Sequence, residues 1–377
     1  MSLFRFLHYG EGLTLSQVFF LETWFLVWSV ILEIPTGVIA DWLGRKVSLF
    51  LGALIVTLGA LIYSSIPTLP IFLLGEFLFA LALAFQSGAD HAFIFDYLKA
   101  DHRETDANRI VGKIESIGLI AMTIAAPIGS LIGASFGPRF AMMAFSLPAL
   151  LGFLTLLTLK EPPRGETISE SRRFLNIFKK GVSIISGRRK IQWITLDLAV
   201  VHSLSFLMIW LYQPLLMALA IPIVWFGFIH TGLALSQVAA LQAYPKLEKI
   251  FSSRKLLSVT AILPAIFFLV IAITKSLPLA IASMMIVTGI GLTRQPLVTK
   301  ELNEMIPGAQ RATVLSFVNL SRRLLRAIVM PLAGILANRS LPLTFSSIGV
   351  VLLIFFLFRT AVLRVHESPH RLTNHHL

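Results

Sequence analysis

The sequence predicts an all-α integral membrane protein of two pseudo-repeated helical bundles, with eleven transmembrane helices and an N-terminal stub. Three observations lead there: the apolar content, the number of span-length apolar stretches, and a likeness between the two halves. Of 377 residues, 56% are hydrophobic and only 14% are charged, and mean hydropathy is +0.82. A soluble chain of this length has no need of so much apolar surface and would aggregate with it. Lipid must solvate the chain.

A helix crosses the hydrocarbon core with about 20 mainly apolar residues. Windows of that kind lie near 16–39, 47–65, 69–93, 109–133, 138–159, 191–216, 221–244, 255–274, 278–297, 311–336 and 342–362. The loops between them are mostly short and leave little chain for a soluble domain. The net charge of +13 does not point to nucleic acid, because it is distributed one-sidedly. With the 40–46 loop in the cytoplasm, most Lys and Arg fall in loops and flanks on that side. Arg5, Arg139, Lys275 and Arg339 lie opposite, and Arg322, Arg323 and Arg326 fall inside the tenth window. This is the positive-inside pattern. It predicts a multi-pass protein of the inner (plasma) membrane with a cytoplasmic C-terminus, and an outside N-terminus if there are eleven spans. Cysteine is absent, which excludes disulfides and thiolate chemistry. The opening residues lack the uninterrupted apolar core of a cleaved signal peptide.

In chain order, the first window ends in a dense knot. LEIPTGVIADWLGRK (32–46) runs through Glu33, Pro35 and Gly37 into Asp41, Gly44, Arg45 and Lys46. Glycines there allow a tight turn, and an aspartate at the membrane surface suits the positive end of a neighbouring helix. Window three carries Glu76, Gln86 and Asp90. Glu76 and Asp90 are almost four turns apart, which places both on one face of a continuous helix. Residues 160–190 carry nine Lys or Arg. Phe174, Ile177, Phe178, Val182 and Ile185 recur among them at helical spacing, the pattern of an amphipathic helix on the inner leaflet.

That basic linker separates two related halves. AAPIGSLIG (125–133) is echoed by VMPLAGILA (329–337), and the turn at Asp41 by the segment around Glu248. The expected domains are an N-terminal bundle at 1–159, the linker at 160–190, a six-helix C-terminal bundle at 191–362 and a cytoplasmic tail at 363–377. On this register Met1 matches Met208, yet helix in the second half reaches back to about residue 191. The first half is therefore expected to lack most of its first helix, one of twelve ancestral spans.

GVIADWLGRK (37–46) resembles the loop between the second and third helices of the major facilitator superfamily, G-x-L-A-D-x-x-G-R-K. Gly37, Asp41, Gly44, Arg45 and Lys46 all fit. EIPTG (33–37), SGADHAFIFD (87–96), WLYQP (210–214) and RATVLS (311–316) resemble recurring phrases of one prokaryotic branch. The likeness spans residues 10–362. It implies two bundles around a midplane cavity and transport by alternating access. It also implies that the loop is a conformational latch on the cytoplasmic side, with Asp96 the expected partner of Arg45 and Lys46. AAPIG (125–129) partly resembles the exporters' glycine–proline motif, with Ala126 where a glycine would precede Pro127. Pro127 and Pro331 are expected to bend matching helices.

Ionisable residues within spans are costly and mark cavities or structural pairs. Asn319, Arg322, Arg323 and Arg326 share one helical face at i, i+3, i+4 and i+7. Arg322 lies roughly 16 Å from Arg311 along the helix. The resemblance sets this helix beside the one bearing Glu33, so a Glu33–Arg322 or Glu33–Arg323 interdomain salt bridge is one reading and an anion-attracting wall the other. Glu76, Asp90 and Glu115 are candidates for proton, substrate or structural pairing. Asp197 and His202 are loosely on one face. His202 and His230 titrate in the range useful for proton coupling, or are hydrogen-bonded interior residues. Trp210, Tyr212 and Gln213 resemble the family's polar-aromatic patch near the outer mouth; the alternative is an interfacial aromatic belt.

No hydrolase, kinase or dehydrogenase constellation appears, and no G-x-x-x-x-G-K loop for direct ATP drive. The chain is not expected to be an enzyme, nor to need a cofactor or metal. The expected function is secondary active transport of a small molecule, coupled to protons and in the export direction, by a monomer in the lipid bilayer. Two alternatives stand beside it: uptake of an anionic metabolite, and a truncated membrane protein that does not transport.

Overall fold

The computed structural model describes residues 12–87, 89–161, 183 and 186–365. The linker helix expected at 160–190, the tail at 363–377 and the stub before Gly12 lie largely outside them. All regular structure among the described residues is helical.

Helix α1 (Leu15–Leu43) starts with a capping box, in which the Thr14 hydroxyl accepts from Gln17 N and the Gln17 side chain accepts from Thr14 N. Gly44 ends α1 and opens α2 (Arg45–Tyr63). A turn at Ser87 divides window three into α3 (Leu69–Gln86) and α4 (Ala89–Ala100). The break ends the continuous helical phase, so Glu76 and Asp90 do not share a face: Glu76 is buried and Asp90 exposed. A 3-10 turn (Glu104–Asp106) leads into α5 (Ala107–Phe136), and α6 (Pro138–Thr158) follows. Asp106 and Asp101 bind Arg103 in that loop and raise its pKa above the usual arginine value.

The second half is built from α7 (Arg189–Phe206), α8 (Met208–Ala218), α9 (Val224–Ile250) and α10 (Ser253–Ile273). Then come α11 (Leu277–Gly291), α12 (Gln295–Met305), α13 (Gly308–Arg339) and α14 (Leu341–Val365). Window six is the pair α7–α8 and window nine the pair α11–α12. Among the described residues, ten spans are long and apolar enough to cross a bilayer. Helix α13, 32 residues long with three arginines near its middle, is the eleventh long element. Pro127 and Pro331 lie inside the helices α5 and α13.

The chain divides into two compact units. Unit 1 is Met1–Asn176 with Ile221–Thr231, and unit 2 is Ile177–Ala220 with Gly232–Leu377. In unit 1, α3 packs on α1 and α2, and α6 packs on α2. Leu21, Ala60, Tyr63, Phe72 and Met142 form a core there. In unit 2, α10 packs on α14 and α11, and α7 on α13. Ile191, Leu198, Leu256, Leu297 and Val314 form its core. Apolar side chains also cover the outside, such as Ile120, Ile124, Leu151 and Ile354. Helices that are apolar outside as well as inside are solvated by lipid. The chain is an integral membrane protein.

Candidate transport site

The knot at 37–46 is built around one backbone conformation. Gly44 has φ +107 and ψ 157, a region open essentially to glycine alone. The turn aims two amides, Arg45 N and Lys46 N, at the carboxylate of Glu161, each at 3.0 Å. A carboxylate there also meets the positive end of α2. The Lys46 ammonium donates to the carbonyls of Leu159 (2.5 Å) and Leu157 (3.3 Å). The Arg45 guanidinium donates to Ala92 O at 2.7 Å and pairs with the buried carboxylate of Asp96. The loop thus ties α2 to α4 and to the end of α6. Gly37 lies within α1, as does Asp41 near its end. Sequence reasoning named Arg45, Lys46 and Asp96 but missed Glu161, whose only signal was a carboxylate directly after the fifth window.

A second polar cluster lies inside unit 1. The Tyr63 hydroxyl donates to Glu76 Oε1 at 3.0 Å, and both side chains are buried. Glu22 is buried too and within electrostatic reach of Tyr63. Glu22 went unnoticed in the sequence because one carboxylate near the start of a span reads as a flank. Asp90, by contrast, lies exposed in the first turn of α4 and lines a cavity of about 400 Å³ with Gln86 and Thr155. Glu115 on α5 stands 3.8 Å from His91 on α4. Glu33 is half-buried in α1 and His230 half-buried in α9.

In unit 2 the arginine face of α13 meets α7. Arg322 Nη2 donates to Asn319 Oδ1 at 2.7 Å, and Ser203 Oγ donates to Arg322 O at 3.2 Å. The Arg326 guanidinium lies 4.5 Å from the centre of the Phe206 ring, a cation–π contact. The His202 ring stacks on Phe206 at 6.4 Å and 11°. His202 Nδ1 and Arg322 Nε are buried without a hydrogen bond among the described residues. Arg323 is half-buried on the same helix. Tyr212 and Gln213 are buried and bonded to each other at 3.1 Å, and Trp210 is only 8% exposed. These three belong to the interior of unit 2, which excludes the aromatic-belt alternative.

Deeper in unit 2 lies an ion cluster that the sequence did not reveal. Arg294 Nη2 donates to Asp197 Oδ2 at 2.6 Å, and Arg294 Nε donates to Thr260 Oγ1 at 3.0 Å. Arg359 Nη1 stands 3.0 Å from Asp197 Oδ1, a charge contact without hydrogen-bond alignment. All three residues are buried, Arg294 completely. Positive-inside logic places Arg294 and Arg359 among the cytoplasmic flanks, and the structure corrects this: both are buried and share one carboxylate. A cavity of about 970 Å³ lies beside them, lined by Gln237, Thr293, Gln295, Lys300, Asn303 and Arg311. Among the described residues no three His, Asp or Glu side chains are placed to hold a metal ion.

A sequence model of the Major Facilitator Superfamily matches residues 6–244, more than half of the chain. The chain belongs to the major facilitator superfamily. No curated protein sequence matches it significantly. Solved structures of superfamily transporters share its fold. A mutant of the nucleoside transporter NupG superposes with a TM-score of 0.80 at 13% identity, over 97% of this chain and 94% of that one. A bacterial homologue of the human lysosomal transporter Spinster, inward-facing and occupied, gives 0.71 at 16%, over 96% and 93%. A D-xylose–proton symporter gives 0.70 at 16%, over 91% and 87%. At these identities the likeness is one of fold. Superfamily membership, matched over residues 6–244, places the Gly44 turn in a transporter.

Proposed function

We propose that this chain is a secondary active transporter that moves a small molecule across the inner (plasma) membrane by alternating access, driven by protons. The observation that carries the reading is the network at Gly44–Lys46. One glycine-only turn, one ion pair to a buried carboxylate and one carboxylate on two backbone amides fasten helices within unit 1. Such a fastening suits a latch that transport makes and breaks, with Gly37, Asp41, Gly44, Arg45, Lys46 and Asp96 as its parts. The functional bundles are 1–159 and 191–362, the C-terminus is cytoplasmic, and the protein acts as a monomer. Proton coupling is supported by the ionisable groups within the spans of unit 1, and one structural neighbour is itself named a proton symporter. The export direction draws on AAPIG at 125–129.

A second reading, uptake of an anionic metabolite, is favoured by a separate observation. Arg322, Arg326 and His202 converge around Asn319 and Phe206 in unit 2, and the buried Arg322 Nε is a donor with no acceptor among the described residues. Single cysteines test the transport cycle, since the chain has none of its own. Trp42→Cys reports the inner end of α1 and Ile66→Cys the loop after α2. Their alkylation rates are expected to change in opposite directions when Asp96→Asn opens the latch. Rates that rise or fall together would count against alternating access.

A further inference from the structure

His91 and Glu115 stand where charge is expensive. His91 lies in the first turn of α4, and Glu115 lies eight residues into α5, roughly 12 Å along its axis. His91 Nε2 is 3.8 Å from Glu115 Oε1, and the side chains are 57% and 66% exposed. Both belong to segments long and apolar enough to cross the bilayer, Leu69–Ala100 and Glu104–Phe136. Ionisable groups within apolar segments face a bundle interior, a water-filled space or the polar membrane boundary. Both side chains are more than half exposed, so they face open space rather than a packed interior. The surroundings agree. Gly112 and Gly118 flank Glu115 at i−3 and i+3 on the same face, and a Cβ on either would find nothing within 4 Å.

Helix α6 packs on α5, and its one charged residue, Arg139 at the start of the helix, donates to Ser64 O at 3.1 Å. Helix α4 packs on α2, α3, α5 and the 3-10 turn. On α2, Arg45 is bound to Asp96 and Ala92 O, and Lys46 to two carbonyls of α6 and its end. On α3, Glu76 accepts from Tyr63. On the 3-10 turn, Asp106 is bound by Arg103, and Glu104 lies near the start of α5, three turns before Glu115. On α5, Arg109 and Lys113 are six and two residues from Glu115 and so point away from its face. On α4, Asp90 Oδ1 accepts from the His91 amide at 2.7 Å, and Lys99 lies two turns further on.

We propose that His91 and Glu115 form a proton-binding pair in a water-filled space of unit 1, the pair whose charge state the transport cycle reads. The proposal rests on the proton-coupled reading above and names its site. When His91 holds the proton, imidazolium and carboxylate attract and draw α4 towards α5. When the proton leaves to the adjoining water, the attraction goes and α4 is released. Asp96 is on α4, so the same motion acts on the latch through its bond to Arg45.

Two measurements on the full chain in lipid nanodiscs test this. Histidine-labelled NMR, with the His91 signal assigned by His91→Gln, gives its titration curve. Glu115→Gln is expected to move the His91 midpoint by at least about 0.5 unit, a half-decade change in proton affinity. A midpoint that does not move overturns the pair. Spin labels at Tyr97→Cys and Ile250→Cys, one in each unit, then give a distance distribution from pH 5 to 8. The wild-type distribution is expected to shift with pH, and His91→Gln and Glu115→Gln to abolish the shift. A shift that survives both variants overturns the coupling role. A single distance at every pH in the wild type also overturns that role and speaks against alternating access itself, while an NMR midpoint that still responds to Glu115→Gln leaves the proton pair in place.

Discussion

Asp197 holds two arginines in the interior of unit 2, where neither can reach water. Removing the carboxylate while keeping its shape would strand two guanidiniums. Breaking a buried pair from one side costs about 3–5 kcal/mol, because the remaining charge is buried unpaired. Asp197→Leu is therefore expected to lower the detergent melting temperature sharply, whereas Arg359→Met, which leaves one arginine with one carboxylate, should be mild. Size-exclusion profiles after a heating series measure both. An Asp197→Leu protein that melts with the wild type would sink the account. The cluster also shows what a sequence hides at this scale. Arg294 and Arg359 sit close to span ends, where positive-inside logic assigns every basic residue to the flank. Arg45 was legible because it sits in a patterned turn, and Asp96 because it closes the patterned phrase at 87–96. Glu161 and Glu22 were not, since nothing in one dimension marks which carboxylate folds back onto a helix end or into a bundle.

Among the elements, the apolar windows were legible nearly to their ends, because a length of about 20 residues is imposed by the bilayer rather than by local propensity. Breaks inside the windows were not. Ser87 interrupts an apolar helix without a proline at the break, so hydropathy runs through it unchanged, and at the Leu292–Arg294 junction Pro296 stands in the first turn of α12. Close crossings were equally invisible. At Gly227 of α9, a Cβ would stand 2.1 Å from Ala126 O and 2.4 Å from Ser130 Oγ of α5. Ser130 Oγ and Thr231 Oγ1 donate across the same contact, to Val224 O and Thr123 O, each at 2.9 Å. Small residues let membrane helices approach until backbone and hydroxyl groups meet. Gly227→Val should force this crossing apart and lower thermal stability, while Gly152→Ala, where a Cβ meets nothing, should not. Equal melting of the two variants would show that the crossing contributes little.

Across the whole molecule, both units carry charge inside their helices. In unit 1 Glu22 and Glu76 are buried, and in unit 2 Arg294 and Arg359 are buried around Asp197, with Arg322, Arg323 and Arg326 half-buried along α13. Asp197 is occupied by Arg294 and Arg359, and on α13 the Arg322 guanidinium donates to the neutral amide of Asn319. An electropositive wall concentrates anions and slows the exit of cations, which separates the two transport readings experimentally. If the solute is anionic, Arg322→Gln should raise its half-saturation concentration about tenfold, the loss of roughly 1.4 kcal/mol expected for one charged hydrogen bond. Arg322→Lys should recover part of that loss, since the charge returns without the fixed guanidinium geometry. Proteoliposomes preloaded with a mixed organic-acid extract, assayed by counterflow against single radiolabelled acids, supply the measurement. A purely structural Arg322 would behave differently: both variants would lower protein yield and maximal rate together and leave the half-saturation concentration where it was. A neutral or apolar solute would leave counterflow of acids absent in the wild type as well, and the acidic face of unit 1 would become the place to look for the site.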